Sequence, residues 1–109
     1  MYTAYSGSTV LGYAFIDTRI VRTLPGSFLI ALSTTGTVKT VQVVAFHEPE
    51  DYLPPNRWLR QFEHKPLSPT LQVNKDIHGI AGATLSAQSV TNAVRQALAL
   101  YHIILQPSQ

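Results

Sequence analysis

At 109 residues, with 45% apolar and 13% charged side chains, the chain has room for one domain and one modest core, and it is not a disordered sequence. A net charge of +2 from eight scattered Lys and Arg gives no basic face, so nucleic-acid binding is not expected. The absence of cysteine excludes disulfides, thiolate catalysis and Cys-ligated metal, and no run nears the ~18 apolar residues of a membrane span.

The N-terminus, Met1-Tyr2-Thr3-Ala4-Tyr5, carries no basic stretch, so residues 10–16 do not read as a signal-peptide core. They read instead as a buried strand, short and rich in β-branched and aromatic residues. Gly12 within it predicts a bulge or a close backbone approach. Residues 17–22 continue it as a mixed, partly exposed strand. Leu24-Pro25-Gly26 marks a turn. Residues 27–32 form a second strand, and Thr34-Thr35-Gly36-Thr37 is a hairpin-type turn with Gly where positive φ is wanted. Residues 38–46 form a third strand. Its apolar residues on both faces predict cover on both sides near its end. The product is an antiparallel meander with a C-terminal helix over one face.

His47-Glu48-Pro49-Glu50-Asp51-Tyr52-Leu53-Pro54-Pro55 is an acidic, proline-punctuated loop that ends the sheet ladder. Residues 55–62 suit a short helix, with Leu59 and Phe62 as an i,i+3 apolar pair. Residues 65–76 are irregular, with Leu71-Gln72-Val73 as a brief strand. Then comes His78-Gly79-Ile80-Ala81-Gly82-Ala83-Thr84-Leu85-Ser86, a Gly-rich turn into a helix. Gly79 and Gly82 allow positive φ or close approach to a ligand. Thr84 or Ser86 can act as N-cap. The helix spans residue 87 to about 105, with Val90, Ala93, Val94, Ala97, Leu98, Tyr101 and Leu105 on one stripe, and Pro107 ends it. The fold class expected is a single α+β domain: a curved antiparallel sheet packed against a long C-terminal helix.

A helix start offers unpaired N–H groups and a partial positive charge, which suit phosphate. The four histidines lie far apart, so no metal site is expected. No nucleophile elbow, Walker loop or dinucleotide-binding glycine pattern occurs, and the carboxylates are too dispersed for an acid/base pair.

Gly82-Ala83-Thr84, followed by Leu85-Ser86 and an Ala/Val/Leu helix, resembles the flavinylation site of FMN-binding domains. Such domains occur in the sodium-pumping NADH:quinone reductase, the Rnf electron-transport complex and the nitrous oxide reductase regulator. Upstream, Val43-Val44-Ala45-Phe46-His47-Glu48-Pro49, Asp51-Tyr52-Leu53-Pro54 and Arg57-Trp58-Leu59 look like the middle of small stand-alone members. The resemblance implies one FMN-binding domain over residues 1–109. It implies FMN joined through its phosphate to Thr84 by a separate flavin transferase that uses FAD and magnesium.

On that reading Gly82, Ala83, Leu85 and Ser86 surround the phosphate, with Ser86 adding a hydroxyl donor and His78 a cationic contact. The loop carrying His47 and Glu48 supplies a hydrogen bond to the flavin ring edge. Tyr13, Phe46, Tyr52 and Trp58 are candidates to line the ring or to fill the core. The resemblance further implies a redox carrier rather than a stand-alone enzyme, working between redox partner proteins. It implies an extracytoplasmic location, periplasmic or membrane-associated, with a leader or anchor trimmed from this chain. Two positions depart from the family motif: His78 stands where an aspartate is usual, and Ala81 where a serine or threonine is. Non-covalent FMN binding, and a flavin-free sensor or assembly domain of the same fold, therefore stand as alternatives.

Overall fold

The computed structural model describes residues 1–105. Four strands, β1 (Tyr2–Ser6), β2 (Thr9–Ile20), β3 (Pro25–Leu32) and β4 (Val38–Phe46), make one antiparallel sheet in that order. A short α1 (Asn56–Leu59) and the long α2 (Thr84–Ile104) follow, with 3-10 turns at Glu50–Tyr52 and Arg60–Phe62. The α+β class and the meander are as expected, with β1 as an additional strand that pairs only with β2.

Register explains the core. Phe15 pairs with Ile30, which pairs with Val41; Tyr13 pairs with Leu32, which pairs with Val38. These rows share one face, and Phe15, Ile30, Leu32, Val38 and Val41 are buried there. Helix α2 lies over β2 and β3 on that face. Its Ala87, Val90, Ala93, Val94, Ala97, Leu98 and Tyr101 are buried, matching the predicted stripe. Small residues at 87, 93 and 97 let the helix lie close to the sheet, and each large side chain so buried contributes about 1.5–3 kcal/mol. Residues Leu59 and Phe62 fill the core beside β4, as the i,i+3 pairing predicts, and Leu71 and Ile77 close it.

Several expectations are corrected. The stretch 10–16 is not buried throughout: Leu11 and Ile16 are exposed, whereas residues 17–22 are mixed and partly exposed as expected, with Ile20 exposed. Strand β3 begins at Pro25, because the reversal is made one step earlier, where the Val21 N–H donates to Leu24 O at 2.9 Å. Proline is tolerated as the first residue of a strand, where its missing donor costs least. The apolar residues on both faces of β4 reflect a bulge rather than double cover. Val43 pairs with Phe28 and Ala45 with Ser27, so Val44 is the extra residue, and it is 53% exposed.

At Gly12 both predicted features occur. Leu11 is the extra residue of a bulge between the Ala4–Gly12 and Tyr5–Val10 pairs. A Cβ on Gly12 would also collide with the Leu32 carbonyl oxygen.

Residues 71–73 do not form a strand. Val73 makes one isolated bridge to Ile77, and Asn74 takes φ 68, so the segment folds back on itself instead of extending. Helix α2 starts at Thr84, three residues before the expected point, and its N-cap is Ala83. Neither Thr84 nor Ser86 is therefore the cap. Pro107 lies outside the described residues.

Candidate functional site

Four segments meet at the start of α2. The first is the turn between β2 and β3. Glu48, 6% exposed, reaches across from the end of β4 and accepts three backbone N–H groups on one oxygen, Oε2. They come from Arg22 at 2.8 Å, Thr23 at 2.8 Å and Leu24 at 3.0 Å. The N–H groups of Leu24 and Thr23 are the main reason the Glu48 carboxyl is held below the usual glutamate value. This clasp fixes the backbone at Arg22 while its side chain stays exposed. The second segment is the 3-10 turn Glu50–Tyr52. It places the Tyr52 ring beneath the Arg22 guanidinium, whose carbon lies 4.1 Å from the ring centroid.

The third segment is the strap 78–83. Its backbone is tied to α1 and the following 3-10 turn. The Trp58 indole N–H donates to His78 O at 2.6 Å, and the His78 N–H donates to Gln61 Oε1 at 2.8 Å. Gly82 takes φ 78 and has nothing within 4 Å of where a Cβ would stand. It supplies the reversal into α2 and leaves open space beside it. Gly79, by contrast, is not in the left-handed region, and a Cβ there would meet Val73 only at ordinary contact distance, so the positive-φ expectation holds for Gly82 alone.

The fourth segment is the first turn of α2. Thr84 is its first residue and is exposed. The first helical bond runs from the Ala87 N–H to Ala83 O at 3.1 Å. The N–H groups of Thr84, Leu85 and Ser86 donate to nothing among the described residues. No side chain caps this start, and its first turn carries no acidic residue. A 21-residue helix thus presents three free donors and the positive end of its dipole without a counter-charge.

Arg22, Tyr52, Gly82, Ala83, Thr84 and Leu85 line one hollow of about 340 Å³. A second, also about 340 Å³, is lined by Arg57, Trp58, Gln61 and the strap residues His78, Gly79, Ile80 and Ala81. The strap is shared: one hollow ends at Ala81 and the other begins at Gly82. Each lies within the roughly 300–1,000 Å³ usual for small-molecule sites. The larger hollow along the outer edge of β4, about 670 Å³, shares no residue with either.

The residues singled out from the sequence separate here. Gly82, Ala83, Thr84 and Leu85 converge on the first hollow, and His78 lines the second. Ser86 lies apart from both hollows: it is 1% exposed, lines neither, and its Oγ has no partner among the described residues. Glu48 is occupied by the clasp, and His47, exposed, gives its N–H to Pro25 O at 3.0 Å. Of the four aromatic candidates, Tyr52 joins the Thr84 hollow and Trp58 the His78 hollow. Tyr13 packs at 6.0 Å from Tyr101, and Phe46 lines the β4 groove. Arg22 was missed. No spacing rule links it to Thr84, and only the clasp and the Tyr52 turn bring the two together.

A search of curated proteins finds no match to this chain. A family model described as FMN-binding domain matches residues 25–99, from the first residue of β3 through most of α2.

Proposed function

We propose, from the premise that this chain belongs to the FMN-binding domain family, that it is an electron-carrier module holding FMN through a phosphoester to Thr84. FMN is the cofactor the family implies. The residues present fit such a group. The uncapped start of α2 and its three free N–H groups favour an anion, and an exposed hydroxyl stands among them. That juxtaposition is the observation that carries the reading. The neighbouring hollow offers the Trp58 and Ile80 side chains to a flat apolar ring, on the same strap.

Attachment uses the Thr84 hydroxyl. Its oxygen bonds to the phosphorus of the FMN half of FAD, the pyrophosphate P–O bond breaks, AMP leaves, and the hydroxyl proton is released. A separate flavin transferase with magnesium supplies this chemistry. The bound flavin would accept and release one or two electrons, while the protein anchors and orients it. A tethered flavin is not lost between transfers, which suits relay between redox partners outside the cytoplasmic membrane. Non-covalent FMN binding in the same hollows is the second reading. It is favoured by His78 and Ala81, which stand where the motif has an acidic and a hydroxyl side chain.

Co-expression with a flavin transferase separates the two. Covalent FMN leaves in-gel fluorescence after denaturation and raises the intact mass by one FMN less water. Non-covalent FMN gives a yellow native protein that loses its flavin on acid precipitation. A co-expressed protein that is colourless and gives no in-gel fluorescence contradicts the flavin reading.

A further inference from the structure

We infer that Arg22 is the counter-ion of the flavin phosphate, and that it makes this chain select a phosphorylated flavin over the same ring system without phosphate. The inference rests on reading the Thr84 hollow as the phosphate end of the site. It concerns a residue outside the stretch that matches the family model.

Among the six residues lining that hollow, Arg22 is the only charged one. No carboxylate lines the hollow, although Glu48, held by the N–H groups of the turn, attracts Arg22 through space. The Arg22 main chain is fixed by the N–H bond to Glu48 Oε2 at 2.8 Å, one of three that immobilise the turn. Its guanidinium lies over Tyr52 at 4.1 Å and makes no side-chain hydrogen bond among the described residues. A planar cation stacked on a ring is pre-oriented and keeps its N–H edge for an oxyanion, which a guanidinium grips with two parallel bonds. Thr84 and Leu85, two of the three residues with free N–H groups at the start of α2, line the same hollow. Helix donors and guanidinium together supply the opposing charge that one phosphate requires. Tyr52 acts through Arg22 as a positioning residue.

The test uses protein made without a flavin transferase, titrated with FMN and with riboflavin. The same variants are then co-expressed with the transferase and scored for covalent flavin. Wild type is expected to bind FMN at least tenfold more tightly than riboflavin. Arg22→Gln removes most of that preference and leaves riboflavin affinity within twofold; Arg22→Lys restores part of it. Tyr52→Leu weakens FMN several-fold with little change for riboflavin. Covalent yield falls in the same order. Arg22 is exposed, so its substitution leaves the fold in place, and an unchanged thermal melt verifies this. The inference is overturned if Arg22→Gln keeps the FMN preference and wild-type covalent yield, or weakens both flavins equally. In those cases flavin still binds and the functional reading stands. If wild type takes neither flavin and no covalent label, that reading falls and this inference falls with it.

Discussion

Ser86 buries a hydroxyl, 1% exposed, whose oxygen has no partner among the described residues. An unsatisfied buried polar group costs about 1–3 kcal/mol. Ser86→Ala is therefore expected to stabilise the flavin-free protein by about 1 kcal/mol, a rise in melting temperature of roughly 4 °C for a domain of this size. A loss of stability instead would mean that the hydroxyl has a partner. Gly82 makes the opposite case. At φ 78 with open space around it, Gly82→Ala meets no clash, only the strain of a left-handed alanine, about 1 kcal/mol. Its unfolding free energy from urea denaturation should fall by that amount while the chain still folds. Both Gly82 and Thr84 were legible in the sequence, because a glycine reversal before a helix is local information. Arg22 was not, because its relation to Thr84 exists only after β2, β3 and the Tyr52 turn have assembled.

Among the elements, the loop after β4 carries a device that the sequence concealed. Glu48 resembles any loop carboxylate, yet it is the shared acceptor for the whole turn at residues 22–24. Its carboxyl value is lowered in the folded state, first by the Leu24 and Thr23 N–H bonds. The clasp is thus fully stabilising above the ordinary glutamate value near 4.5, and its contribution is lost as pH falls through the lower folded value. Glu48→Gln should be less stable than wild type at pH 7, with the gap shrinking on acidification below about 4.5. Urea midpoints from pH 7 to pH 3 measure this; parallel curves would remove the charge from the account. The buried stripe of α2 is legible in the sequence, but its start is not. The periodic pattern begins at Ala87, whereas the chain turns helical at Thr84 with no capping side chain to mark the place. Strand β1 escaped notice because its pattern is nearly all exposed, although the Gly7-Ser8 pair between β1 and β2 is a hairpin signal.

For the whole molecule, one core holds the sheet, α1 and α2 together, and the site sits where its edges meet rather than inside it. Phe28 is fully buried at the centre of β3, so Phe28→Ala should cost about 3–5 kcal/mol, a large part of the 5–15 kcal/mol typical of such domains. The account of function depends instead on exposed residues at the periphery, above all the Thr84 hydroxyl beside the free donors of α2. The most direct measurement compares wild type and Thr84→Ala, each co-expressed with a flavin transferase, by intact mass and by fluorescence in a denaturing gel. Wild type should carry one FMN less water and fluoresce, while Thr84→Ala should show neither and melt as a folded protein. Flavin fluorescence that survives denaturation in Thr84→Ala would contradict the attachment at this residue.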